Sequence, residues 1–516
     1  MLVNEFLEDS ADAFPNKTAL VCSGKKLSFL EIEHLANRLS NALIDLGVIK
    51  QDRIVILLEA SVETVVSIFG ILKTGGIFLV INPQVKANKI KYILNDCQAK
   101  ALITDANHFK DLSAVTSECP TLETAIIVGY DQTEEKMHKM EMPIIHSYSE
   151  ILDKYSIDRP QKRCIDIDLA CLIYTSGSSG IPKGVMCTHQ NVVSAASSII
   201  EYLENTPEDI ILDVLPLSFD YGLYQVLMSF KFGGTVVLEK SFLYPYTIID
   251  LLIKEKVTGF PIVPTIVAIL LSLKDLERFD FSSLRYITNT AQALPPRYIT
   301  KLQQIFPGAK VYSMYGLTEC KRATYLPPEE LDKRPTSVGK AMPNTEVYLI
   351  DKNGKEITKA GEVGELLVRG ANVMKGYWNL PEETERAYKP GPIPGEKVLY
   401  TGDLFKMDEE GFLYFISRMD DMIKTGGEKV SPKEIENVLY QIDDVNEAAV
   451  IGVNDDILGQ AVKAFVVLKK KSELTQEDII KYSSRHLENY MVPRYIEIRD
   501  KLPKSSHGKI AKKELK

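Results

Sequence analysis

The 516-residue chain lacks the sequence features of secreted, zinc-binding and membrane-spanning proteins. Its seven cysteines include no Cys-x-x-Cys pair, which argues against a zinc site or a disulfide framework and suits a reducing compartment. No apolar run approaches the ~20 residues that span a bilayer. The first ten residues carry acidic side chains where a signal peptide carries basic ones. We therefore expect a cytoplasmic protein.

Basic side chains are also fewer than acidic ones. The chain has 61 Lys and Arg against 70 Asp and Glu, a formal net charge of −9 at pH 7. A general role in binding nucleic acid or an anionic membrane is therefore disfavoured. The 45% hydrophobic and 25% charged content is ordinary for a globular enzyme, and 516 residues are too many for a single core.

The hydrophobic pattern predicts an α/β fold with two domains. Helical and strand-like segments alternate from residue 28 onwards, for example a helix over 30–43 and a strand over 53–58. From about Gly339 the pattern becomes rich in strands and turns. We expect a large N-terminal region of two α/β sheet subdomains plus a β subdomain over 1–419. A small mobile α+β lobe should follow over 420–516.

The segment 174–184, Tyr-Thr-Ser-Gly-Ser-Ser-Gly-Ile-Pro-Lys-Gly, predicts a polyphosphate-binding loop. It follows a strand-like segment over 169–174, and its glycines let backbone N–H groups approach an anion. Lys183 adds a mobile positive charge. A Walker loop has Gly-Lys-Ser/Thr, whereas Pro182 precedes the lysine here. A flexible linker is the alternative, but linkers rarely follow a buried strand directly.

Together with three later segments, this loop resembles the adenylate-forming superfamily of acyl-CoA synthetases, luciferases and adenylation domains of nonribosomal peptide synthetases. The later segments are Tyr-Ser-Met-Tyr-Gly-Leu-Thr-Glu at 312–319, Tyr-Thr-Gly-Asp at 400–403 and Leu-Pro-Lys-Ser-Ser-His-Gly-Lys-Ile at 502–510. The resemblance covers nearly the whole chain. It implies that a carboxylate and MgATP give an acyl-adenylate and pyrophosphate, and then a thioester and AMP. The alternative from another class is a catalytically inactive nucleotide-binding regulator.

The resemblance also implies residue roles. Tyr315 would lie against adenine, and Asp403 would bind the ribose hydroxyls. Asp420 would be the hinge of the C-terminal lobe, although Asp420 and Asp421 could equally cap the following turn. The catalytic set is Lys509, Thr318 and Glu319, with Glu319 as the Mg²⁺ ligand. The nucleotide-binding set is Thr175, Ser176, Gly177, Ser178, Ser179, Gly180, Lys183, Thr290, Ala291, Gln292, Tyr315, Gly316, Asp403 and Arg418.

The segment Phe219-Asp220 bears on the substrate. Amino-acid adenylation domains carry Phe-Asp at this point, where the aspartate pairs with the substrate's α-ammonium. A buried carboxylate beside an apolar pocket needs such a partner or a large pKa shift. The alternative is that Asp220 caps the helix expected over 221–230. By position in the family, the remaining pocket residues are Tyr221, Tyr224, Ile287, Asn289, Met314, Arg322 and Ala323.

Two tyrosines would narrow this pocket and favour a small or cyclic side chain. The patterns at 219–225 and 315–322 look like free-standing prolyl adenylation enzymes, so L-proline is the first expected substrate. A separate peptidyl carrier protein would accept it on its phosphopantetheine thiol, because no carrier domain follows residue 516. The segment 431–436, Ser-Pro-Lys-Glu-Ile-Glu, reads instead like acyl-CoA synthetases. The alternative is therefore an AMP-forming acyl-CoA synthetase for a small or medium carboxylic acid.

Overall fold

The structure is a computed structural model that describes residues 1–130, 143–176, 182–290, 294–425, 428–455, 458–505 and 509–515. Within those ranges, no helix has the length and apolar character needed to cross a membrane. The helices are α1 (Glu5–Ala13), α2 (Phe29–Asp45), α3 (Val62–Lys73), α4 (Ala87–Asp96), α5 (Ala106–Thr116), α6 (Tyr148–Lys154), α7 (His189–Leu203), α8 (Asp220–Phe232), α9 (Pro245–Lys254), α10 (Pro264–Leu270), α11 (Pro296–Ile305), α12 (Pro381–Ala387), α13 (Pro432–Leu439) and α14 (Gln476–His486).

The strands form four sheets. They are β1 (Thr18–Cys22), β2 (Lys25–Ser28), β3 (Arg53–Leu57), β4 (Ile77–Val80), β5 (Ala101–Asp105), β6 (Thr124–Val128), β7 (Ile144–Ser147), β8 (Leu169–Ser176), β9 (Pro182–Thr188), β10 (Ile210–Asp213), β11 (Thr235–Leu238), β12 (Gly259–Ile262), β13 (Tyr286–Asn289), β14 (Lys310–Tyr315), β15 (Thr324–Leu326), β16 (Lys340–Ala341), β17 (Thr345–Ile350), β18 (Glu356–Ile357), β19 (Val363–Gly370), β20 (Gly376–Tyr377), β21 (Tyr388–Pro390), β22 (Lys397–Met407), β23 (Leu413–Arg418), β24 (Ile423–Thr425), β25 (Glu428–Val430), β26 (Val445–Asp455), β27 (Gly459–Leu468) and β28 (Tyr495–Ile498).

Helix α2 illustrates how local sequence sets these elements. The Ser28 side chain accepts a hydrogen bond from the Glu31 backbone N–H, and the Glu31 side chain accepts one from Ser28 N–H, which makes a capping box. The apolar positions that follow at helical spacing are buried against the core. The helix therefore begins at Phe29, one residue before the expected segment, and it continues to Asp45.

Two α/β sheets make up most of the N-terminal domain. The first has nine strands in the order β16-β15-β14-β13-β12-β10-β11-β1-β2, parallel from β14 to β1 and antiparallel at both edges. The second has eight, in the order β20-β9-β8-β4-β3-β5-β6-β7. Helices packed between the sheets form the largest core. Phe69 of α3 stacks on Phe230 of α8 there, with ring centroids 4.9 Å apart.

A third sheet of six strands, β17–β19 and β21–β23, completes the N-terminal domain. The chain leaves it at Arg418 and passes through a 3-10 turn, Met419–Asp421, before entering the fourth sheet at Ile423. That sheet has the order β25-β24-β27-β26, with β28 beside β27, and it packs with α13 and α14 around a core of its own. The predicted fold class, a large α/β region plus a small α+β domain, is confirmed.

The C-terminal domain is docked on the start of α11. Arg297 Nη1 donates to the Ile442 carbonyl oxygen at 2.9 Å, and the Tyr298 hydroxyl donates to the Asn446 carbonyl oxygen at 2.9 Å. The ring centroids of Tyr298 and Tyr440 lie 6.2 Å apart across the same interface. This docking fixes the side of the N-terminal domain that the end of the chain reaches.

Candidate active site

The predicted site residues gather where parallel strands of the first sheet end. Strand β13 ends at Asn289 and is followed by Thr290, and its neighbour β14 ends at Tyr315. Phe219 and Asp220 follow β10, which runs in the same direction in this sheet. Carboxyl ends of parallel strands meet at one edge of a sheet, and ligands bind in α/β proteins at that edge.

The segment 315–323 is a tight loop that presents Thr318 and Glu319. Its ends are joined by a 3.0 Å hydrogen bond from Ala323 N–H to the Tyr315 carbonyl oxygen. A Cβ atom on Gly316 would come within 2.0 Å of the Lys321 carbonyl oxygen, so only glycine fits there. Sterics therefore explain why the motif at 312–319 has a glycine at position 316.

Asp403 and Arg418 come together across a hairpin, as expected for a ribose site. They are directly paired in β22 and β23. Arg418 Nε lies 3.2 Å from Asp403 Oδ1, and the Tyr315 hydroxyl donates to Asp403 Oδ2 at 2.7 Å. Burial raises the pKa of the Asp403 carboxyl, although Arg418 and the Tyr315 hydrogen bond oppose that rise. The Tyr315 ring packs edge-on against Phe405, with centroids 4.8 Å apart.

Glu319 suits a magnesium ion bound together with nucleotide phosphates. The Tyr377 hydroxyl donates to its Oε1 at 2.7 Å and orients the carboxylate. No group of three or more His, Cys, Asp or Glu residues that could hold a metal occurs in the described ranges. Mg²⁺ is usually held by one or two carboxylates plus water and substrate phosphates, so the single carboxylate fits. When bound, the ion neutralises phosphate charge.

The phosphate loop is described only at its base. Thr175 of β8 is paired with Lys183 of β9, and Ser176 ends β8. Lys183 Nζ lies 2.6 Å from Glu383 Oε2 and 5.5 Å from the centroid of the Tyr377 ring. The hydrogen bond from Lys183 lowers the pKa of Glu383. The other predicted phosphate and nucleotide residues lie outside the described ranges: Gly177, Ser178, Ser179, Gly180, Ala291 and Gln292.

Lys509 of the C-terminal domain reaches this site. Its Nζ lies 5.7 Å from the centroid of the Phe219 ring. The side chain keeps access to solvent, yet desolvation by the surrounding protein lowers the pKa of its ammonium group. The negative charges of Asp220, Glu319 and Asp403 oppose that lowering. The docked domain therefore places the lysine among the predicted catalytic and nucleotide residues.

The residues expected to line the substrate pocket are all buried. The Tyr221 hydroxyl donates to the Thr288 carbonyl oxygen at 2.8 Å, and the Tyr202 hydroxyl donates to Met314 Sδ at 2.9 Å. The Arg322 guanidinium carbon lies 4.5 Å from the centroid of the Tyr221 ring. The set comprises Tyr221, Tyr224, Ile287, Asn289, Met314, Arg322 and Ala323, and Ile287 and Ala323 have no exposed surface.

The surroundings of Asp220 differ from what either interpretation of the sequence predicts. Helix α8 has Phe219 as its N-cap residue and no side-chain cap hydrogen bond, so the capping alternative was wrong. Asp220 is 5% exposed, and positive side chains of the chain itself are near it. Its charge acts on Lys509 and also on Lys321, whose pKa is raised by Cys187 and Asp220 against the lowering effect of burial. A substrate ammonium is therefore not the only positive charge that could act on Asp220.

Three contributors went unrecognised in the sequence. Lys321 is 2% exposed and donates from Nζ to the Thr318 carbonyl oxygen at 2.8 Å and to Cys187 Sγ at 3.2 Å. Tyr377 and Glu383 contact Glu319 and Lys183 across 58 and 200 residues of sequence. Local patterns carry no signal for such contacts, although Lys321 lies within the pattern recognised at 315–322.

Comparison with known proteins gives matches that extend over nearly the whole of this chain. A family model described as AMP-binding enzyme matches residues 7–378, and one described as AMP-binding enzyme C-terminal domain matches 434–509. The long-chain-fatty-acid–CoA ligase of Bacillus subtilis is 34% identical over 532 residues, covering 99% of this chain and 94% of the relative. Tyrocidine synthase 1 of Brevibacillus parabrevis is 28% identical, covering 99% of this chain and 44% of that protein.

Two solved structures extend the comparison. The anthranilate CoA ligase AuaEII in complex with anthranoyl-AMP superposes with a TM-score of 0.90 at 29% identity, covering 100% of this chain and 96% of that one. ATP-bound MatB from Rhodopseudomonas palustris gives a TM-score of 0.88 at 26% identity, covering 100% and 98%. Both similarities extend over the N-terminal and C-terminal domains.

Proposed function

This chain belongs to the AMP-binding enzyme family, whose members use ATP to form acyl-adenylates, and on that premise we propose that it joins a small carboxylic acid without an amine to CoA. In the first step a carboxylate oxygen bonds to the α-phosphorus of ATP, and pyrophosphate leaves. In the second step the thiol sulfur attacks the acyl carbon, the thiol proton is released, and AMP leaves.

The observation that carries the choice of acid is the charge balance at Asp220. The charge of Asp220 acts to raise the pKa of both Lys321 and Lys509, against the lowering effect of burial. An incoming ammonium group would join the two lysine ammonium groups whose charges already act on this carboxylate, and it would have to leave water to do so. An acyl chain without an ammonium group meets no such cost.

The size of the acid follows from the two tyrosines. Tyr221 and Tyr224 are 1% and 2% exposed, and the Tyr221 hydroxyl is anchored on Thr288. An anchored ring inside a packed core cannot swing away without breaking its hydrogen bond and opening a void. We therefore propose a short or ring-sized acyl group.

Residues from both domains would serve the first step. Negative charge grows on the phosphate oxygens as pyrophosphate departs, and the Lys509 ammonium is placed to stabilise it. Thr318 would bind the α-phosphate, and Glu319 would hold Mg²⁺ on the phosphates. The remaining predicted nucleotide residues, from Thr175 to Arg418, would position ATP for in-line attack.

A domain rotation would serve the second step. We propose 1–419 and 420–516 as the two rigid units and Asp420, which lies in the exposed 3-10 turn Met419–Asp421, as the hinge. Rotation would withdraw Lys509 and bring the segment 426–436 to the site for the thiol.

A second candidate retains an amino acid, L-proline first, loaded onto a separate peptidyl carrier protein. Asp220 favours it, because the residue is buried without capping its helix. This chain also matches Tyrocidine synthase 1 of Brevibacillus parabrevis along 99% of its own length.

Pyrophosphate exchange separates the candidates. The chain is assayed with ATP, Mg²⁺ and a panel of small carboxylic acids and amino acids, and the best acid is then offered CoA and a phosphopantetheinylated carrier protein in competition. We expect a non-amine acid to give the fastest exchange and CoA to be acylated. Fastest exchange with proline would favour the second candidate, as would acylation of the carrier.

A further inference from the structure

Arg322 is a buried guanidinium group with unused hydrogen-bonding capacity. The residue is 5% exposed, and Nη1 donates to the Lys321 carbonyl oxygen at 2.9 Å. Its Nε is buried without a hydrogen-bond partner among the residues that the structure describes. A buried charge that is incompletely paired is costly, so such a group is normally completed by a ligand or a counter-ion.

The aromatic rings of Phe219 and Tyr221 link Lys509 to Arg322 through a series of contacts. Lys509 Nζ lies 5.7 Å from the Phe219 ring centroid, and that centroid lies 6.2 Å from the centroid of Tyr221. The Arg322 guanidinium carbon follows 4.5 Å beyond Tyr221. Lys509 marks the carboxylate that reacts with ATP, and the Phe219 and Tyr221 rings lie along the contacts that lead from Lys509 to Arg322.

Tyr224 supplies a second unused donor near Arg322. The residue is 2% exposed, and its hydroxyl has no hydrogen-bond partner within the described part of the chain. Arg322 is close enough to oppose the rise that burial causes in the pKa of Tyr224. Tyr224 Oη and Arg322 Nε are therefore two buried polar atoms without a hydrogen-bond partner among the described residues.

The backbone around Arg322 is held rigidly. Asn372, which is fully buried, donates from Nδ2 to the carbonyl oxygens of Cys320 and Arg322 at 2.9 and 3.0 Å. Ala323 N–H is bonded to Tyr315. A guanidinium on such a support is pre-organised, and a planar guanidinium matches a carboxylate in a bidentate pair.

We propose that Arg322 and Tyr224 bind a second carboxylate at the far end of the substrate, so that the enzyme activates one carboxyl group of a small dicarboxylic acid. This inference rests on the proposed function and specifies its substrate class. Asp220 does not exclude it, because the positive charges of Lys321 and Lys509 act on the same carboxylate.

The test compares acids of equal length. Pyrophosphate exchange is measured with succinate, glutarate and adipate, with butanoate, pentanoate and hexanoate, and with the methyl half-esters of the diacids. We expect kcat/KM for the best diacid to exceed that for its matched monoacid by about 100-fold, since a buried charged hydrogen-bond pair is lost in the monoacid. The half-esters should fall between.

Two variants test whether Arg322 and Tyr224 cause the preference for diacids. Arg322→Met should abolish the preference for diacids through a rise in KM, and Tyr224→Phe should reduce it. Arg369→Met, in a surface pair with Glu346 and Glu396, is the control and should keep it. Because Arg322→Met removes an incompletely paired buried charge, its melting temperature should be unchanged or higher. A large drop in melting temperature with equal loss on all acids would assign Arg322 a structural role and overturn the inference.

The wild-type result also separates this inference from the proposed function. Faster exchange with monoacids than with diacids would overturn the diacid inference while leaving the ligase proposal intact. Exchange with proline above all other acids would overturn the diacid inference and favour the carrier-loading candidate. No exchange with any acid would overturn both proposals.

Discussion

Lys183 and Glu383 form an ion pair, with Nζ and Oε2 2.6 Å apart, and the lysine belongs both to the predicted phosphate-binding segment 174–184 and to the start of β9. Glu383 lies on α12, in a different part of the N-terminal domain. In the role proposed for Lys183, ATP phosphates would compete with this carboxylate for the ammonium group. The ion pair would therefore lower the affinity of the protein for ATP.

Removing the carboxylate should strengthen ATP binding. Glu383→Gln keeps the side-chain shape but frees Lys183, so we expect the dissociation constant for MgATP to fall by about 3- to 10-fold, within the usual range for a partly exposed ion pair. Isothermal titration calorimetry measures it. Glu382→Gln, on an exposed neighbour in the same helix turn, is the matched control and should leave the constant unchanged. Weaker binding in Glu383→Gln would mean that Glu383 assists the nucleotide.

Lys509 should act only in the first half-reaction. Lys509→Gln removes the ammonium that stabilises charge on the departing pyrophosphate, and adenylate formation should fall by about 100-fold or more. Thioester formation from a chemically supplied acyl-adenylate should stay within a few fold of wild type. Lys513→Gln, on the exposed 3-10 turn Lys512–Glu514, is the control. Equal loss of both half-reactions in Lys509→Gln would contradict the assigned role.

Asp403 should make nucleotide binding sensitive to acid. Its pKa is raised by burial, so the carboxyl takes up a proton at a higher pH than an ordinary aspartate does. Protonation removes an acceptor for the ribose hydroxyls. We expect ATP affinity to fall as the pH drops towards the raised pKa, and Asp403→Asn to bind weakly at every pH. A pH-independent wild-type affinity down to the usual aspartate range would contradict this.

The same shift has a consequence for stability. The folded state binds the Asp403 proton more tightly than the unfolded state, so the free energy of unfolding falls as the pH rises from the unfolded pKa through the folded pKa. Above both values the charged carboxylate destabilises the fold. Asp403→Asn should therefore melt at a higher temperature than wild type at pH 7, and the difference should shrink towards pH 4. Asp421→Asn, on an exposed side chain, should show neither effect.

The connection between the domains should be the most protease-sensitive point of the ligand-free protein. The 3-10 turn Met419–Asp421 is exposed and separates two cores. Limited proteolysis followed by mass spectrometry should locate the first cut within 419–425. Tyr298→Phe removes the hydrogen bond to Asn446 and should speed that cut. Resistance of the whole chain as one unit would count against the proposed boundary and hinge.

Much of the fold could be predicted because local signals agreed. The helix expected over 30–43 forms over Phe29–Asp45, and the strand expected over 53–58 forms over Arg53–Leu57, since apolar spacing and flanking turn residues point to the same element. Asp403 and Arg418 belong to separate motifs, and the hairpin between them brings these motifs together. The nucleotide-binding part of the site could therefore be predicted from its motifs.

The electrostatics of the pocket could not be predicted in this way. Asp220 was expected to require a substrate ammonium, because the sequence does not reveal that Lys321 folds back under the loop 315–323. Arg322 was expected in the pocket from its position in the family, whereas no sequence signal indicated that its neighbour Lys321 is buried as well. Burial of adjacent charges depends on long-range packing, which local patterns do not encode.

Direct detection of the acyl-adenylate tests the central claim most directly. The protein is mixed with MgATP and the acid that gives the fastest pyrophosphate exchange, without any thiol, and the products are followed by mass spectrometry before and after CoA is added. The account predicts one pyrophosphate and one protein-bound acyl-AMP per active site, followed by AMP and acyl-CoA when the thiol arrives. ADP and phosphate instead of AMP and pyrophosphate, or intact ATP with every acid, would contradict it.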